Sequence, residues 1–229
     1  MLSTARPLAL LSLLLVAGIA SPALAQVFTE STDAGTLPGA ALPITGSGPL
    51  TRINGALSAT AGDQIDLFII NIVSPSIFSA ATRNLGESFM SDTQLFLFSL
   101  DGVGIAKNDD IDEINYLSHL PAGDSAYASL TPGLYILGIA PYGVLPTIVT
   151  NPTTTNQSVF PFQPFTGVTG PLNGNAPMIG FGTISGFAST GDYAIDLTGA
   201  SMVVIPTPAA ASVLALGAAA GLTRRRRPL

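Results

Sequence analysis

Between residues 26 and 201, apolar positions alternate with polar ones or gather in short runs bounded by Gly, Pro, Asn and Asp. That is the pattern of strands and turns, because a half-buried strand repeats every two residues and a helix every 3.6. The clearest runs are 65–73, 77–81, 93–100, 134–140 and 193–197. Asp101-Gly102 separates one of them from the short run 103–106, which predicts a hairpin. No 12-residue window in this region carries a helical apolar stripe. An all-β fold with two antiparallel sheets packed face to face is therefore expected.

Both ends break the pattern. Arg6, the apolar run 8–20 and the small residues of Ala23-Leu24-Ala25 have the order of a secretory signal, expected to form a helix over residues 1–25. Signal peptidase would then cut before Gln26. At the other end, residues 202–222 are apolar and interrupted by Pro206-Thr207-Pro208, and Arg224, Arg225, Arg226 and Arg227 follow. A bilayer span needs about 20 residues. The arginines should stay in the cytoplasm, leaving the domain outside. Hydropathy leaves a permanent anchor and a cleaved tail equally open. The expected organisation is a signal (1–25), a lead-in with one edge strand (26–49), a β-sandwich (50–200) and an apolar helical tail (203–229). The lead-in is expected to be a poor place for a site. An insertion over 146–191, rich in Pro, Thr, Asn and Gly, should be pinned to the sandwich by Val159, Phe160, Phe162, Phe165, Phe181 and Phe187.

Removing the ends changes the charge. Only Arg52, Arg83 and Lys107 remain against all fourteen acids, a net charge of −11 where the whole chain carries −6. This argues against nucleic acid, whose phosphates require a cationic surface, and favours attraction of cations. The absence of cysteine excludes disulfides, thiol nucleophiles and thiolate metal sites. With no cross-links, the exported domain must be held by its core.

The tail, Pro206-Thr207-Pro208 with an apolar run and Arg224 to Arg227, resembles the PEP-CTERM sorting signal, with Thr207 where that family usually has Glu. The resemblance implies recognition by an exosortase, a membrane-embedded protease-transpeptidase, transient anchoring, and delivery to the surface or matrix. Within the domain, Asp63-Gln64-Ile65-Asp66-Leu67-Phe68, Asp92-Thr93-Gln94-Leu95-Phe96-Leu97-Phe98, Asn108-Asp109-Asp110, Pro132-Gly133-Leu134-Tyr135-Ile136-Leu137 and Gly191-Asp192-Tyr193 occur in that order. The series resembles the bacterial pre-peptidase C-terminal domain, which implies a jelly-roll-like antiparallel β-sandwich, accessory to secreted enzymes or present on surface proteins.

Candidate chemistry is sparse. Asn108, Asp109, Asp110, Asp112 and Glu113 put five oxygen-bearing side chains into six positions. Calcium takes 6–8 oxygen ligands, so this turn is either a calcium site or a solvated turn bonding its own backbone. It lacks the spacing of an EF-hand. Asp66, Asp92, Asp109 and Asp124 are the acids that could converge for glycoside hydrolysis. His119 is the only histidine, so any triad must use it, with Ser118 and Ser125 close in sequence, but no Gly-x-Ser-x-Gly elbow exists. Tyr116, Tyr127, Tyr135, Tyr142 and Tyr193 offer stacking faces for sugars, Tyr135 and Tyr193 from core strands. The primary expectation is a non-enzymatic surface or matrix protein, requiring no cofactor, associated with extracellular polysaccharide. A calcium-dependent or carbohydrate-binding module and a secreted hydrolase are the alternatives.

Overall fold

A computed structural model describes residues 24–58, 63–148, 157–172, 174, 176–183 and 190–205. The expected signal helix through Ala23, Phe187 of the insertion and the tail from Pro206 through Arg227 lie outside the described residues. Among the described residues no helix is long and apolar enough to cross a membrane.

The fold is all-β. Its strands are β1 (Gln26–Thr29), β2 (Leu42–Pro43), β3 (Leu50–Leu57), β4 (Asp66–Ile72), β5 (Ser79–Arg83), β6 (Thr93–Phe98), β7 (Gly104–Asn108), β8 (His119–Leu120), β9 (Gly133–Pro141), β10 (Val144–Ile148), β11 (Gln157–Ser158), β12 (Gly180–Thr183), β13 (Gly191–Thr198) and β14 (Ala200–Ser201). One sheet has the order β1-β3-β13-β5-β8. The second has the order β14-β4-β9-β6-β7, with β2 alongside β4. A third, smaller sheet is β11-β10-β12. Pairing is antiparallel apart from β1 on β3 and β2 on β4.

Strand alternation divides the apolar residues between two cores. Phe68, Ile70 and Ile72 of β4, Leu95 and Leu97 of β6, and Leu137 and Ile139 of β9 meet Ile53, Leu57, Ala80, Tyr193 and Ile195 of the first sheet. The intervening residues Leu67, Phe96, Phe98, Ile136 and Ala140 point the other way, onto Val144, Leu145, Ile148, Val159, Phe160 and Met178. The second sheet is thus sandwiched between the first and the insertion. This explains why β6 is buried at every position, since a strand covered on both faces reads as a continuous apolar run.

The expected hairpin joins β6 to β7, with Gly102 at φ +80° in its turn. The run 77–81 is corrected at its start. Pro75–Ile77 forms a 3-10 turn, because Pro75 fixes φ and lacks an N–H, and β5 begins only at Ser79. The insertion is not structureless: β10, β11 and β12 lie within or against it. It docks through Val159 and Phe160 at Gly104, where a Cβ would stand 2.9 Å from the Phe160 ring. Phe160 stacks on Phe96 at 5.8 Å and meets Phe98 at 5.7 Å. Phe162, which also packs against this core, and Phe165 meet Tyr142 at 5.8 Å each.

Candidate metal centres

Two groups of carboxylates converge in this fold. The first lies where the lead-in meets the start of β4. β1 pairs with β3 in parallel, which carries the following residues, Glu30 to Asp33, over the end of the sandwich. There they face Asp63 and Asp66, and one carboxylate oxygen each from Asp33, Asp63 and Asp66 lies within 4.8 Å of the others. The lead-in, expected to be a poor place for a site, thus contributes Asp33 to a candidate one. Parallel pairing at the sheet edge brings Asp33 to two acids about thirty residues away.

Asp66 shares the inward face of β4 with Phe68, Ile70 and Ile72 and is fully buried. Its Oδ2 accepts a 2.6 Å hydrogen bond from the Tyr193 hydroxyl, while its Oδ1 has no partner. Tyr193 Oη also stands 3.3 Å from Glu30 Oε2. It reaches both acids across Gly55, where a Cβ would collide with the tyrosine and the Glu30 carboxylate. Asp63 pairs backbone to backbone with Ser58, and its buried Oδ1 is also unpartnered. Asp33 Oδ1 accepts the Gly35 N–H at 2.8 Å. Beside these groups is an open pocket of about 480 Å³, lined by Glu30, Asp33, Asn54, Asp63, Asp192 and Tyr193 among others, with Asp66 buried behind the lining.

No cation of the described chain answers this charge. Arg52 and Arg83 both bind Asp196, and Lys107 binds Asp109. Burial, then the charges of Glu30, Asp63 and Asp33, push Asp66 up to about 8 against the pull of the Tyr193 hydrogen bond. Asp63 and Glu30 are raised too, chiefly by burial. Burial and the neighbouring carboxylates drive the Tyr193 hydroxyl well above its ordinary range, so it remains a donor.

The second group is Asp92, Asp109 and Asp110, also within 4.8 Å. The register that sets Leu95 opposite Asn108 lays the chain before β6 beside the chain after β7. Each of the three presents a buried Oδ1 without a hydrogen-bond partner. Burial, then the charges of Asp109 and Asp110, push Asp92 up to about 7. Burial pushes Asp109 up to about 6 against the attraction of Lys107. Burial lowers the Lys107 ammonium from its ordinary value, and Asp109 opposes that.

The five-residue turn does not converge as a set. Asp109 and Asp110 turn inward to meet Asp92. Asn108 is a brace: its Nδ2 donates to the Gly167 and Asp110 carbonyls at 2.9 and 3.1 Å, and its Oδ1 accepts the His119 N–H at 2.6 Å. Asp112 Oδ1 accepts the N–H groups of Ile114 and Asn115, 2.9 Å each, and Glu113 is exposed. Here the competing reading, a turn bonding its own backbone, describes Asp112.

The acids considered for glycoside hydrolysis separate. Asp66 belongs to the first group and Asp92 with Asp109 to the second, while Asp124 caps a 3-10 turn by accepting the Ala126 N–H at 2.8 Å. Ser118 is bound into a buried hydroxyl chain with Thr93 and Thr82, and Ser125 opens the turn that Asp124 caps. His119 Nε2 instead meets Ser79 Oγ at 3.1 Å. Burial lowers its pKa, and this hydrogen bond of its ring is to a serine hydroxyl rather than to the carboxylate of a triad. The tyrosines are dispersed: Tyr127 donates to the Pro121 carbonyl and Tyr135 to the Thr131 carbonyl, Tyr142 lies by the second group, and Tyr116 is exposed. No protein-family model and no curated protein matches the chain.

Proposed function

We propose that this chain is an exported, non-enzymatic β-sandwich of the cell surface or extracellular matrix, completed by calcium held among Asp33, Asp63 and Asp66 at the edge of the pocket that Asp33 and Asp63 line. The observation that carries the calcium reading is Asp66, a fully buried carboxylate with an unpartnered Oδ1 beside two further acids. Burial makes that carboxyl hold its proton up to about pH 8, and a divalent cation would displace the proton and supply the partner that the ionised Oδ1 lacks. Calcium sits 2.3–2.6 Å from its oxygens, so ligands on opposite sides of it stand about 5 Å apart. Oxygens within 4.8 Å of one another suit one ion. Magnesium demands a stricter octahedron than this mixture of loop and strand supplies.

Export and sorting rest on the segments at the two ends of the sequence. The Pro206-Thr207-Pro208 step, the apolar run and the arginines support cleavage of the tail by an exosortase-type protease. The motif series falls on β4, β6, β7, β9 and β13, which supports likeness to the pre-peptidase C-terminal domain and a jelly-roll-like topology. A pocket of about 480 Å³ is larger than a bare ion requires. That observation favours a second reading, in which bound calcium offers open positions to hydroxyls or carboxylates of an extracellular polysaccharide. Thermal melting with added calcium tests the proposal. The midpoint rises in the native protein and rises less in Asp63→Asn; an unmoved native midpoint, or an equal rise in the variant, sinks it.

A further inference from the structure

The second carboxylate group faces a different part of the molecule. Lys107, 1% exposed, extends its ammonium to Asp109 Oδ2 at 3.2 Å and to the carbonyls of Phe162 and Pro161 at 3.3 and 3.5 Å. The same strand end holds the insertion by its backbone. Lys107 and Thr169 exchange N–H···O bonds of 2.9 and 2.8 Å, and the Asp110 N–H donates to the Phe165 carbonyl at 3.1 Å. The acids thus stand at the seam between the β6–β7 hairpin and residues 161–169.

Lys107 pairs with one of three carboxylates, which leaves Asp92 and Asp110 without a cation, two negative charges in excess when all three acids are ionised. Asp109 is 1% exposed and Asp110 7%, and the inward Oδ1 of each is without a partner. Three converging carboxylates with one cation among them and three buried unpartnered oxygens have, once ionised, the charge and donor chemistry of a divalent oxygen-ligand site. We propose that Asp92, Asp109 and Asp110 hold a second calcium ion, separate from the Asp66 pocket, and that this ion locks residues 161–169 onto the sandwich. Bound there, it removes the repulsion among the acids and frees Lys107 to serve the Phe162 and Pro161 carbonyls. The insertion then follows extracellular calcium, whether or not the Asp66 pocket is filled.

Hydrogen exchange on the full exported chain, in calcium chloride against a chelator, tests this. At free calcium ten times Kd, exchange of the Lys107, Asp110 and Thr169 amides slows about tenfold. Asp63→Asn keeps that slowing and Asp110→Asn loses it. Equal exchange of the native protein in calcium and chelator overturns the proposal, even where Asp110→Asn fails to fold. Slowing that survives in Asp110→Asn, or disappears in Asp63→Asn, overturns it as well.

Discussion

Asp66 occupies a position that strand alternation assigns to the core, and much of the chemistry of the first pocket follows from that placement. Its raised pKa has a consequence for stability. A carboxylate holding its proton more tightly in the folded state than in the unfolded makes the fold less stable as pH rises between the two values. For Asp66 that window runs from about 4, the unfolded value, to about 8. Asp92 and Asp109 act in the same direction toward about 7 and about 6. Without metal, the thermal midpoint should therefore fall from pH 5 to pH 8. Asp66→Asn keeps an acceptor for Tyr193 and removes the buried charge, so in chelator at pH 8 it should raise stability by about 1–3 kcal/mol and flatten the decline. A metal-free midpoint that is level across this range, or a variant less stable than the native protein at pH 8, contradicts this account of Asp66.

At the scale of elements, the insertion behaves as a third layer. Phe160 is fully buried between the outward faces of Phe96 and Phe98. Truncating it to Ala should cost about 3–5 kcal/mol, measured as a lower urea midpoint; a loss below 1 kcal/mol would mean that the layer is not packed as described. Its aromatic anchors were legible because Phe160 and its neighbours have no other apolar partner in a Pro- and Gly-rich stretch. The strands were legible from β4, β6, β9 and β13, whose apolar runs are long. β3 was harder, since Leu50, Ile53 and Leu57 are its buried apolar positions and polar or small residues separate them. Asp109 and Asp110 were legible as candidates from the density of acids around them. Asp92 and Asp33 reach their clusters through pairing register and a parallel edge strand, which local sequence does not encode. One signal for the first pocket was present: Asp66 is a charge at an inward position of an apolar strand.

At the scale of the molecule, residues 26–205 carry −11, and in this fold much of that charge is concentrated into two groups of converging acids. Extracellular calcium sites commonly have Kd values of about 10⁻⁴ to 10⁻³ M, so a protein delivered outside the cell would have both sites filled only after export. Delivery itself is tested by mass spectrometry of the surface fraction: loss of Arg224 to Arg227 is expected, and an intact arginine run contradicts sorting by cleavage. The most direct test of the central claim is the thermal midpoint of the protein at pH 7.5, in calcium against chelator. At free calcium ten times Kd, one site adds about 1.4 kcal/mol, which raises the midpoint by about 3–6 °C for a domain of this size. Equal midpoints up to about 10 mM calcium, well above that Kd range, would contradict it.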